Sequence, residues 1–342
     1  MAMGQRVVIR DAAHPELVQD KNALAELGSE VSRDVDQQDI AWFDAARGRY
    51  VSARFFLPAV PDPASSFPIV LFSPDLGIAI DRYETLLTGW ARYGYAVIAV
   101  ISTAEPVHTP ETLDVEQRRA ARDYSKNEKE WQDRAKDIDI ALARAREQAD
   151  LSERLNFERV AVAGHGIGAH TALLCLLHEA SKPLVQADGS IRAPQLRAGM
   201  LLSPPGEGML NLNRDSWASL RTPVLTIVGG QGRGVLRQPL RAGTALFERS
   251  HAPDLFLLTI ADARHENFSS AFAKGRSGMT PTVHELVTAT TVMYLRAVVQ
   301  EDAQARQWLL DGRIERLPSY RCRLAGKNVA IHPQLLQPLE PE

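Results

Sequence analysis

The chain has 342 residues, enough for one large domain or two small ones. Hydrophobic residues make up 45% and charged residues 24%, an ordinary globular composition, and the net charge of -3 offers no basic surface to a nucleic acid. The two cysteines, Cys175 and Cys322, lie far apart, no apolar run reaches the length of a membrane span, and Met1 to Arg10 lacks the apolar stretch of a secretory signal. These features predict a cytoplasmic protein without a structural disulfide, with Cys175 a buried thiol.

Residues 1–36 are polar with little periodicity and predict an arm, with a short helix around Lys21 to Leu27. Ile40 to Asp44 and Tyr50 to Leu57 predict a strand pair joined by a hairpin over Ala45 to Arg49. Pro58 to Pro68 is a proline-rich connector. Strands and helices then alternate. Pro68 to Phe72 is a short continuous apolar run, the pattern of a strand buried on both faces. A helix over Asp81 to Arg92, a strand over Tyr95 to Ile101 and a helix over Asp133 to Ala149 follow. The charged stretch Glu105 to Gln132 has weak periodicity and reads as an insertion over the sheet's carboxyl edge. Val160 to Ala163 predicts a strand, and Gly168 to Glu179 the helix behind it. Further strands are predicted at Ala198 to Leu202, Val224 to Val228 and Leu255 to Ile260. Val283, Leu286, Val287, Thr290, Tyr294, Ala297 and Val298 have the spacing of a closing helix. The alternation predicts an α/β fold with a mainly parallel sheet, an antiparallel N-terminal strand pair and helices on both faces. One domain over residues 37–312 accommodates it, with residues 313–342 as an extended C-terminal tail.

The segment Val160-Ala-Val-Ala-Gly-His-Gly-Ile-Gly-Ala-His170 reads as strand, sharp turn and helix. Further landmarks are Pro68-Ile-Val-Leu-Phe-Ser73, Gly94-Tyr95 before a strand, Leu202-Ser-Pro-Pro205, Thr222-Pro-Val-Leu-Thr-Ile-Val228 and Ala261-Asp-Ala-Arg-His265. In this order and spacing the chain resembles the α/β-hydrolase superfamily, in particular bacterial platelet-activating-factor acetylhydrolase and dienelactone-hydrolase-like proteins, over roughly Ile40 to Gly312. The resemblance implies a nucleophile elbow G-x-S-x-G, a triad in the order Ser, Asp, His, and an oxyanion hole built from backbone amides.

The sequence departs from that pattern at several stations. The elbow reads Gly164, His165, Gly166, Ile167, Gly168, so Gly166 stands at the nucleophile position with no side chain to attack. The triad acid is expected after Val224 to Val228, where Gly229 to Arg233 carries no carboxylate; Glu207 is the candidate substitute. The oxyanion region comprises His165, Ile167 and Leu76, and the resemblance implies a His-Gly pair in the loop after the strand ending at Ser73, where this chain has Pro74-Asp75. Asp75 would oppose an oxyanion if its carboxylate faces the site, or cap the next turn. His265 stands where the resemblance places the triad histidine. His165, His170, His265 and Asp75 match no metal-ligand spacing, so no metal and no cofactor is expected.

These readings favour a degenerate hydrolase-fold protein that binds a small-molecule ligand or a protein partner, since losing a triad nucleophile costs on the order of 10⁶ in kcat. The alternatives are a carboxylic-ester hydrolase in which His265 and Asp75 activate water, and a lyase or isomerase using His265 as base.

Overall fold

The computed structural model describes residues 34–59, 66–101, 119–120, 122–181, 195–231, 240–269, 281–316 and 321–329. The predicted arm helix at Lys21 to Leu27 and most of the predicted insertion lie outside them.

The strands are β1 (Val35–Asp44), β2 (Arg49–Pro58), β3 (Phe67–Ser73), β4 (Ala96–Ile101), β5 (Leu155–His165), β6 (Leu196–Leu202), β7 (Val224–Gly229), β8 (Leu255–Ile260) and β9 (Cys322–Lys327). They form one sheet in the order β1-β2-β4-β3-β5-β6-β7-β8-β9. From β4 to β8 every pairing is parallel; β1 and β2 are antiparallel at one edge and β9 is antiparallel at the other. Central strands need apolar residues on both faces, and every residue of β3 is buried.

The helices of six residues or more among the described residues are α1 (Glu84–Arg92), α2 (Glu128–Glu147), α3 (Ile167–Ser181), α4 (Arg214–Ser219), α5 (Leu240–Arg249), α6 (Pro281–Val299) and α7 (Ala303–Leu310). One core layer packs Leu86, Leu87 and Trp90 of α1 with Leu286 and Tyr294 of α6 and Trp308 of α7. The opposite layer packs Ile138 and Leu142 of α2 with Leu173 and Leu176 of α3 and Leu246 of α5. Helices therefore cover both faces, as the alternation predicts.

Differences from the sequence reading have physical causes. β1 starts at Val35, because a two-stranded ribbon is held by its ladder to β2 and needs little apolar patterning. α2 starts at Glu128 rather than Asp133. Asn127 caps it by accepting from the Glu130 amide, and Trp131 is already buried in the first turn. The tail residues Cys322–Lys327, read as extended chain outside the domain, pair with β8 and extend the sheet. Among the described residues both cysteines are free thiols, with Cys175 buried, and no helix is long and apolar enough to cross a membrane.

Candidate functional site

Parallel register aligns the carboxyl ends of β3, β5 and β6: Ser73 lies beside Gly164, and His165 beside Leu202. Side chains just past these ends meet, which is where open α/β sheets bind ligands. Asp75 follows β3, Gly166 follows β5, Ser203 follows β6 and His265 lies beyond β8.

Gly166 has φ +55, a left-handed conformation that favours glycine. Its neighbour Gly168 is needed for close approach, since a Cβ there would stand 2.0 Å from the Ser73 carbonyl oxygen. The turn thus brings the first turn of α3 against the end of β3. At Gly166 the obstacle is different. A Cβ would stand 2.3 Å from Oδ1 of Asp75 and 2.8 Å from its Oδ2. The Asp75 carboxylate fills the space that a side chain on residue 166 would enter.

That carboxylate is fully engaged. Oδ1 accepts from the Ile167 amide at 2.7 Å, and Oδ2 lies 2.8 Å from Nε2 of His265. The Ile167 amide is at the N-terminus of α3, where unpaired N–H groups and the helix dipole favour an anion. Here the resident Asp75 carboxylate holds that amide. Asp75 is 1% exposed. Burial pushes its acidity down, but the charge and hydrogen bond of His265 and the Ile167 amide outweigh burial and hold the pKa at about 2. Asp75 is therefore ionised and can only accept hydrogen bonds, so Nε2 of His265 carries a proton.

The other face of His265 meets Ser203: Nδ1 lies 2.8 Å from Oγ. Glu207 does not reach the histidine. Its carboxylate accepts from Trp217 Nε1 at 3.3 Å and Arg249 Nη1 at 2.5 Å. Sequence reasoning passed over Ser203, whose signal was a serine directly after an apolar strand, at the sheet's carboxyl edge.

His165 closes the back of the cluster. Its Nε2 donates to the His265 carbonyl at 3.0 Å, while Nδ1 accepts at 2.8 Å from the Tyr83 hydroxyl, which itself accepts from the Asp75 amide at 3.1 Å. The two imidazoles lie with ring centroids 4.4 Å apart. Burial, and then the nearby His265, lower the His165 pKa to about 3, so it is neutral. Burial and the charge of Asp75 push the Tyr83 phenol well above its usual range.

Arg134 fastens the loop that carries Asp75. Its guanidinium, 3% exposed, donates to the Pro74 carbonyl at 2.8 Å, Ser73 Oγ at 3.0 Å and Thr171 Oγ1 at 3.1 Å. On the flank of the elbow, Leu76 and Ile167 pack beneath Tyr124, Trp131 and Leu210, all buried. His170 stands edge-on to Trp131 with centroids 5.5 Å apart. Beside this cap lies a cavity of about 340 Å³ lined by Ser125, Trp131, Leu210, Asn211 and Asn213, among others.

Asp75, His165 and His265 bring possible metal-ligand atoms within 4.8 Å of one another. All four ring nitrogens and both carboxylate oxygens already have protein partners. A cation would have to displace several of them. Direct activation of water by His265 meets the same obstacle, because both of its nitrogens are occupied.

Compared with protein-family models and with curated proteins, the chain matches none.

Proposed function

We propose that this chain is an α/β-hydrolase-fold protein that has lost the serine-hydrolase reaction and works by binding. The observation that carries the reading is the Asp75 carboxylate, lodged where the nucleophile's side chain would stand and bonded to the amide that would hold an oxyanion. A fixed negative charge at that point opposes the charge that develops in acyl transfer. The packed cap over Ile167 and Leu76 supports the same reading, since apolar side chains take the flank of the elbow. The cavity beside the cap has the size of a small-molecule site and combines an indole with amide groups. That size and lining fit a small-molecule ligand, and a protein partner is the alternative. In this reading the protein works in the cytoplasm with both cysteines as thiols.

The test is sustained turnover of short-chain p-nitrophenyl esters by wild type and by His265→Ala. The expected result is no multiple-turnover rate above background in either protein. Continuous hydrolysis by wild type that disappears in His265→Ala overturns the reading.

A further inference from the structure

Ser203 is the polar group of this cluster for which the proposed function has no use. It follows the apolar strand β6 with φ +46, a conformation that is uncommon and strained for a residue with a side chain. Strained backbone of this kind clusters at functional sites. The side chain is half-buried. Its Oγ lies 2.8 Å from Nδ1 of His265, whose Nε2 lies 2.8 Å from Asp75. Because Asp75 can only accept, Nε2 holds a proton, and a ring that carries this proton alone presents its Nδ1 lone pair to Ser203. In that form of the ring the Ser203 hydroxyl donates to Nδ1. Hydroxyl, imidazole and carboxylate stand in one hydrogen-bonded line, the arrangement that activates a serine. The ring is reversed relative to the usual arrangement, with Nδ1 rather than Nε2 toward the serine.

We propose that Ser203 is a nucleophile that captures an activated acyl or phosphonyl group once and retains it. This rests on the proposed loss of turnover at the elbow. In the acyl case, Oγ forms a bond to the carbonyl carbon and its proton passes to Nδ1. The bond from that carbon to the leaving group then breaks, and the departing oxygen takes the proton from Nδ1. Asp75 stabilises the imidazolium formed in between.

Retention follows from the backbone around Ser203. Its own amide donates to the Ile227 carbonyl at 2.7 Å. Pro204 and Pro205 have no N–H to offer. The Ile167 amide is bonded to Asp75. No backbone donor in this set is free to stabilise the oxyanion that water attack on the ester would create. The same lack restricts capture to donors with a good leaving group.

The experiment treats the full chain with a fluorophosphonate and, separately, with p-nitrophenyl acetate. Adducts are read by intact mass and peptide mapping, and p-nitrophenol release is followed with time. The expected result is a single adduct on Ser203 and release that stops after one equivalent. Ser203→Ala and His265→Ala should lose both, with Ser203→Ala still unfolding in one cooperative transition that shows it folded. An unlabelled wild type, or a label on another residue, overturns the proposal and leaves the loss of turnover standing. Sustained turnover abolished by Ser203→Ala supports the nucleophile and overturns the loss of turnover instead.

Discussion

A Cβ on Gly166 would stand 2.3 Å from Oδ1 of Asp75, far inside contact distance. The two residues therefore specify each other: the carboxylate sits at the elbow because residue 166 has no side chain. Gly166→Ser should cost about 2–4 kcal/mol, from overpacking and from a side chain at positive φ. Asp75→Gly should also destabilise, because it strips partners from the Ile167 amide and His265. Combined, the two changes should cost less than their sum by about 1–3 kcal/mol, since a serine can take the vacated space. Urea unfolding of the four proteins measures the coupling, and strictly additive costs would exclude a shared volume.

Arg134 positions the loop of Asp75 from the far side of the sheet edge, through Pro74 and Ser73. Arg134→Met keeps much of the stem's packing but leaves a buried carbonyl and two hydroxyls short of a donor. The expected loss is about 2–4 kcal/mol. The substitution should also disturb His265, which histidine NMR signals would register. A variant with wild-type stability and unchanged histidine signals would show that the guanidinium does not hold this loop.

The parallel body of the sheet was legible in the sequence because doubly buried strands are short apolar runs; Leu255–Ile260 is placed to the residue. The edges were less legible. β1 and β9 are partly exposed, so their composition resembles that of loops and only the ladder defines them. At the site, the vacancy at Gly166 and the position of His265 were what the resemblance to the hydrolases implied. The direction of the Asp75 side chain could not be read, since capping and facing the site use the same residue at the same position. Ser203 was hidden because its partner, His265, lies 62 residues away, and the candidate that the sequence offered as a partner for the histidine was the Glu207 carboxylate. Trp217 and Arg249 hold that carboxylate elsewhere, and no local pattern announces them.

The tail that forms β9 also secures a helix end. Lys327, 8% exposed, donates from Nζ to the carbonyls of Glu248 at 2.8 Å, Ser250 at 3.0 Å and Phe247 at 3.2 Å. These lie at and just past the C-terminus of α5, where a cation is favoured. Lys327→Met should lower stability by about 1–3 kcal/mol. Lys129→Met, which removes an exposed pair with Asp133, should change it by less than about 1 kcal/mol. Thermal melts of the two variants side by side separate a buried ammonium from a surface one. Equal melting temperatures would refute the capping role.

Acid should destabilise the fold through histidines before it reaches the carboxylates. Burial lowers the pKa of His165 to about 3 and that of His170 to about 4, against an ordinary value of 6.5. The folded chain leaves both rings neutral, whereas the unfolded chain protonates them as pH falls through that ordinary value. Stability linked to these rings is complete above it and drains away as pH falls toward the folded values. Asp75 adds a loss in the same direction at lower pH, between its ordinary 3.8 and about 2. Between about pH 6 and 4 the expected slope is about 1–3 kcal/mol per pH unit. Urea midpoints measured across that range test it. His170→Phe removes one of the protons taken up on unfolding and should flatten the slope. A pH-independent midpoint in wild type would mean that these buried rings are already charged in the folded chain. That would also undo the tautomer of His165, whose Nδ1 must be unprotonated to accept from Tyr83.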